Sequence, residues 1–150
     1  MNEVGQPATM LLFRAGGRLC ALPASVVCET FRPLPVQLAP SAPHFVAGVT
    51  MLRGLPAPVI DVGHLLGSKA NPQNWSRFVS VRAGERMVAL AVDEVLGLKT
   101  LSQETFFTLP PLLEDLSQTV GRLAELDGEL LLVLREAHLM PEDLWEEVLA

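Results

Sequence analysis

The residues best suited to chemistry are few and poorly grouped. Asp61 and His64 stand three apart, a spacing that would place two metal ligands on one helical face. The same spacing suits a capping aspartate followed by a surface histidine, and that is the reading taken here. His44 and His138 are remote from them in sequence. Gly63-His64-Leu65-Leu66-Gly67-Ser68-Lys69 faintly echoes a phosphate loop, but it is one residue short between the glycines and its Ser and Lys are reversed. A loop of that length does not converge its N–H groups on a phosphate. No Gly-x-Ser-x-Gly elbow occurs, and no Cys–His or Ser–His pair has the spacing of a nucleophile and its base. Cys20 and Cys28 would serve as a redox pair in an oxidising compartment; in a reducing cytoplasm they read as small buried apolar residues. Glu142, Asp143, Glu146 and Glu147 read as the solvated side of a helix. The expectation is therefore no catalytic residue, no metal and no cofactor.

What remains is a binding surface. Leu52-Arg53-Gly54 is a basic hairpin between two apolar runs, Val46 to Leu52 and Leu55 to Ile60. An arginine there is costly to bury unpaired, so it belongs at a surface that another molecule covers. Val27 and Glu29 lie two apart on an expected strand and should face the same side. If that strand lies beside the hairpin, Glu29 and Arg53 form a partly exposed ion pair. Such a pair is either ordinary surface electrostatics or part of a docking surface.

The elements that must position these residues read as all-β, short apolar runs punctuated by Gly and Pro. Met10 to Arg14 and Arg18 to Leu22 form a hairpin around Ala15-Gly16-Gly17, and Ser25 to Phe31 is a third strand. Residues 32–45 are proline-rich and cross the surface. Pro56 and Pro58 direct two missing N–H groups to one edge, which suits an edge strand or a barrel rim. A polar loop over 67–76 precedes a pair, Arg77 to Arg82 and Met87 to Val92. Asp93 to Gly97 reads as a turn, and the stretch to Gln118 as mixed. Asp127-Gly128 joins Val120 to Leu126 with Glu129 to Leu134 and is the strongest hairpin signal. Residues 141–150 read as a short helix. The count is about nine or ten strands, which suggests barrels.

The 150 residues suit one domain, large enough to bury roughly 70% of its unfolded surface. With 49% apolar and 19% charged residues the chain is not disordered. A net charge of −6 disfavours nucleic acid and anionic membranes as partners. The N-terminus lacks the basic and apolar regions of a signal peptide. Pro33, Pro35, Pro40 and Pro43 forbid a spanning helix in the uncharged stretch that follows Arg32. The expected location is cytoplasmic.

Three motifs together resemble the CheW-like family of chemotaxis coupling proteins. Gly48-Val49-Thr50-Met51-Leu52-Arg53-Gly54 followed by Pro58-Val59-Ile60-Asp61 is similar to the family's Gly-Val-x-Asn-Leu-Arg-Gly signature and the strand after it, with Met51 in place of the common Asn. Val88 to Val95 is similar to its apolar strand ending in Val-Asp-x-Val, and Val26-Val27-Cys28-Glu29 to its Val-x-Glu strand. The resemblance implies two intertwined five-stranded β-barrels, SH3- or OB-like, with short helices. It implies a flexible 1–9, a domain of two subdomains over 10–140, and the helix over 141–150. It implies a non-enzymatic adaptor between a methyl-accepting chemoreceptor and a CheA-type histidine kinase, reaching a membrane only through the receptor and recruited to receptor arrays. Receptor contact by the groove between barrels makes Val27, Glu29, Leu52, Arg53, Gly54, Phe78 and Val92 the transferred partner-binding candidates. A chain that opens on Met1 without ATP-binding or phosphoacceptor segments is expected to be a free adaptor rather than part of a kinase. Three alternatives stand beside this. One is a paralogue that binds receptor without recruiting kinase. The others are a small β-barrel hydrolase or metal enzyme, and an OB- or SH3-like nucleic-acid binder.

Overall fold

The computed structural model of the chain describes residues 6–39, 41–68, 75–136, 139–140 and 145. Two-residue turns lay down its hairpins. Gly16-Gly17 joins β1 (Ala8–Ala15) to β2 (Arg18–Pro23). Arg53-Gly54 joins β4 (Val46–Leu52) to β5 (Leu55–Asp61), and Asp127-Gly128 joins β10 (Val120–Leu126) to β11 (Glu129–Leu134). All six turn residues have positive φ, the geometry that matches the right-handed twist of the flanking strands. Between these hairpins lie β3 (Val27–Phe31), β6 (Arg77–Ala83), β7 (Arg86–Val92), β8 (Glu94–Leu101) and the two-residue β9 (Phe106–Phe107). One helical turn, α1 (Val62–Leu65), follows β5. A short 3-10 turn, Ala24–Val26, occupies the start of the expected third strand.

The strands form two sheets, in the orders β8-β1-β2-β11-β10-β9 and β3-β6-β7-β5-β4. The chain starts in the first sheet, builds the whole of the second, and returns to finish the first, so the two are interleaved. No ladder joins the edge strands of either sheet among the described residues. Each central strand buries both faces. Met10 and Leu12 of β1 pack inside the six-stranded sheet, while Leu11, Phe13 and Ala15 enter a core shared by the two sheets. On β7, Val88, Leu90 and Val92 enter that shared core and Ala89 and Ala91 pack against Phe78 and Val59. Period-two alternation sorts apolar residues between two cores, which is why these strands read as unbroken apolar runs.

Of the region expected to be a turn, Asp93–Gly97, all but Asp93 belongs instead to β8, which pairs with β1 from Ala8 to Arg14. The strand is hard to read because it is an edge: Leu96 and Leu98 point to solvent. Gly97 sits in the left-handed region beside a register shift, so alternation breaks there. Asp93 carries the chain between sheets. Its N–H donates to the Arg14 carbonyl (2.8 Å), its carboxylate accepts from the Gly16 N–H (3.0 Å), and its carbonyl accepts from the Ser76 hydroxyl.

The described residues of segment 32–45 cross the surface as expected. They dock on β4 through reciprocal Gln37–Val49 backbone bonds of 2.8 Å and a Thr50 hydroxyl donating to the Pro35 carbonyl (2.8 Å). Gly48 permits this approach, since a Cβ there would lie 2.1 Å from the Gln37 carbonyl oxygen. β5 is not an edge strand, but its parallel pairing with β7 begins only at Val59. Pro56 and Pro58 occupy the unpaired half, at positions whose N–H groups would point away from β4. The expected C-terminal helix and most of the polar loop lie outside the described residues.

Asp61 caps α1, as the spacing predicts. Its Oδ1 accepts from the His64 N–H (3.0 Å) and its Oδ2 from the Trp75 indole N–H (2.9 Å). Arg14 makes a bidentate pair with Glu129, both bonds 2.8 Å, across β2. That pairing holds the Glu129 carboxyl below its ordinary range, the hydrogen bond from Arg14 being the main cause. Asp61→Ala strands two donors and should lower unfolding stability by about 2 kcal/mol, read from the urea midpoint. Glu129 has a depressed native pKa, so its contribution is present above the unfolded carboxyl value and lost as pH falls through the native one. The melting-temperature gap between wild type and Glu129→Gln should therefore be full at neutral pH and close on acidification.

Candidate functional site

Glu29 and Arg53 belong to opposite ends of the five-stranded sheet, one on edge strand β3 and the other on the turn that leaves edge strand β4. They nonetheless form an ion pair: Arg53 Nε donates to Glu29 Oε2 at 2.9 Å and Nη2 donates to the same oxygen. The two ends of the sheet thus meet through side chains rather than through a ladder. Under the pair lies a groove of about 1180 Å³. Phe31, Leu34, Leu52, Leu55, Met87 and Trp145 give it an apolar lining, and Glu85 and Arg86 join the ion pair as its charged groups. It lies against the five-stranded sheet rather than between the two sheets, with Trp145 its only lining residue from beyond Met87 among the described residues.

Arg53 is 84% exposed at its side chain, against 39% for Glu29. Its hydrogen bond and attraction to Glu29 raise the guanidinium pKa further, so the cation is permanent. Arg53 has φ +51 in a turn slot that favours Asn, Asp or Gly. Asp127 fills the equivalent slot of the β10–β11 turn, φ +52, with the residue type the geometry prefers. The turn therefore imposes on Arg53 a conformation that Asn, Asp or Gly would adopt at lower cost.

Of the expected contact residues, Glu29, Leu52 and Arg53 line the groove, and Gly54 completes the turn beside it. Val27 does not share their side. A register shift between Val27 and Glu29 turns Val27 toward the shared core and leaves both Cys28 and Glu29 on the groove. Phe78 and Val92 are fully buried, Phe78 edge-on to Phe31 and Trp75, and Val92 in the shared core. Their side chains support the site and are not open to a partner.

The bulge also explains a residue the sequence left unremarked. Ser80 is buried, accepts from the Glu29 N–H (3.2 Å) and donates to the Glu29 carbonyl (3.3 Å), fixing the backbone that aims the carboxylate. Its one signal was a hydroxyl inside an otherwise apolar strand. Met87, Arg86 and Trp145 gave none. Cys28 is exposed, with its thiol 3.9 Å from the Met87 sulfur, against the buried position expected for it. Cys20 is buried as expected, and burial pushes its thiol up to about 12.

Chemistry by metal finds no support in the donors. Both Asp61 oxygens are committed, and no group of three His, Cys, Asp or Glu side chains is placed to hold an ion among the described residues. Among the described residues no helix is long and apolar enough to cross a membrane.

The comparisons agree with the geometry. The family model described as "CheW-like domain" matches residues 9–143. The chain is 25% identical over 132 residues to the "Chemotaxis protein CheW" of Helicobacter pylori, covering 87% of this chain and 80% of that one. It is 32% identical over 113 residues to "Protein PilI" of Pseudomonas aeruginosa, covering 74% of this chain and 64% of the relative. The crystal structure of scaffolding protein TtCheW from Thermoanaerobacter tengcongensis superposes with a TM-score of 0.74 at 21% identity, over 87% of this chain and 90% of that one. An interleaved two-sheet fold, an ion-paired hairpin arginine over an apolar groove, and a family match along nearly the whole length place this chain in the CheW-like domain family.

Proposed function

We propose that the chain is a non-enzymatic adaptor that couples the cytoplasmic tip of a methyl-accepting chemoreceptor to a CheA-type histidine kinase, in chemotaxis or motility. The reading is supported by one observation above the rest. A permanently charged, exposed arginine is held in a costly backbone conformation at the rim of a large apolar groove. The charge pairs with Glu29 across the open ends of the sheet and stays exposed enough to meet a partner. The groove offers apolar area, the rim supplies orientation, and the rigid shared core fixes the angle between what docks here and what docks elsewhere. The adaptor's work is geometric: two partners held in register, so that a shift in one biases the other. Several modest interfaces acting together give such an assembly its strength. The site of action is the cytoplasm, at receptor arrays.

Arg53→Glu is the direct test. Capture of a soluble receptor-tip fragment should fall about tenfold or more, because reversal sets like charge beside Glu29 and against the group the arginine would face. The melting temperature should stay nearly constant, because the side chain is exposed. A large loss of stability, or unchanged capture of both receptor tip and kinase regulatory domain, overturns the assignment. Measuring the two partners separately distinguishes an adaptor from a receptor-only paralogue. Thiol chemistry gives a second test. In native protein a maleimide should label Cys28 readily and Cys20 only after unfolding, read by mass spectrometry, and a bulky adduct on Cys28 should block capture by filling the groove.

A further inference from the structure

We infer that the free edge of β8 pairs antiparallel with the same edge of a second copy of this chain, giving a weak two-fold dimer. The surface lies on the six-stranded sheet, away from the groove, and does not depend on the docking reading above.

The edge itself is the first observation. The two sheets end in β8 and β9, and in β3 and β4. β9 has only two residues, and β4 carries the Gln37 bridge on its outer side. The Glu29–Arg53 pair draws the β3 and β4 ends together. β8 has eight residues, and among the described residues no strand lies on its outer side. Leu96 and Leu98 stand exposed on it, at 45% and 66%. Unpaired main-chain groups beside exposed leucines form a template for another strand.

The charges identify that strand. Glu94-Val95-Leu96-Gly97-Leu98-Lys99 has opposite charges at its two ends and apolar residues between them. Glu94 and Lys99 are exposed, and neither makes an ion pair among the described residues. Arg14, which faces Glu94 in the β1 ladder, is committed to Glu129. Antiparallel pairing about a two-fold axis sets Glu94 opposite Lys99 of the second copy, and symmetry makes that contact twice. The same register sets Val95 opposite Leu98 of the copy. Those two residues share a face of β8, because their β1 partners Phe13 and Leu11 both enter the shared core. Leu96 then meets Gly97 of the copy, where an added Cβ would find nothing within 4 Å. In-register parallel pairing would instead stack Glu on Glu and Lys on Lys. A lysine on an edge ordinarily blunts it; here the glutamate at the other end converts the lysine into a contact. The irregularity at Leu96 interrupts the ladder at the centre of the contact, which keeps the dimer weak.

Sedimentation equilibrium of the full chain, without receptor or kinase, is the test. The average mass should climb from one chain toward two, and no further, with a dissociation constant on the order of tens of micromolar, as for a small interface. Leu98→Asp should raise that constant at least about tenfold, by placing a charge in the apolar centre. Glu94→Lys and Lys99→Glu should each raise it about threefold or more, since each sets like charges opposite one another. The double variant carrying both should return within about twofold of wild type, the signature of a direct pair. Circular dichroism checks that each variant is folded; should Leu98→Asp fail to fold, the charge series decides alone. A chain that stays monomeric to several hundred micromolar overturns the inference. So does growth beyond two chains, a dimer indifferent to Leu98→Asp and to both single charge variants, or a double variant that recovers nothing. None of these outcomes bears on the docking reading, which capture by Arg53→Glu tests separately.

Discussion

Burial on both faces of the central strands is the constraint from which the rest of this molecule follows. A sheet with one wet face tolerates polar residues at every second position; β1, β5, β6 and β7 do not have that freedom. The two sheets share a third core between them and are interleaved, so the chain crosses from one to the other and back. Asp93 marks the return, and its three hydrogen bonds fix β7, β1 and the first turn relative to one another. A rigid junction of this kind leaves functional groups only at the periphery: turns, bulges and edges. That is where Arg53, Cys28 and Glu29 are found.

The parts of the fold legible in the sequence are those whose signal is local. Gly16-Gly17 and Asp127-Gly128 specify tight turns by backbone chemistry alone, and the apolar runs beside them were strands within a residue or two. β8 was not legible, because its identity depends on β1, some eighty residues earlier, and an exposed edge strand carries little periodicity of its own. The site was half legible for the same reason. Arg53 advertises itself as a charge between apolar strands, and Glu29 as its candidate partner. That β3 bulges at Cys28, expelling Val27 from the surface, is a property of its pairing with β6. Phe78 and Val92, carried over by resemblance, are buried because β6 and β7 pack apolar side chains on both faces. Trp145 reaches the groove from the other end of the chain, and no spacing rule encodes that.

The Glu29–Arg53 pair has a structural meaning besides its charge. It links the two ends of a sheet whose backbone ladders stop short of closure. A side-chain latch of this kind is weaker than a ladder and is reached by solvent.

The half of β5 that carries Pro56 and Pro58 deserves a different emphasis from the one its position suggests. Along that flank the backbone has no donors to offer, so an extended segment of a neighbouring molecule finds nothing with which to continue the sheet. One route into fibrous association along that flank is thereby closed by main-chain chemistry rather than by charged side chains.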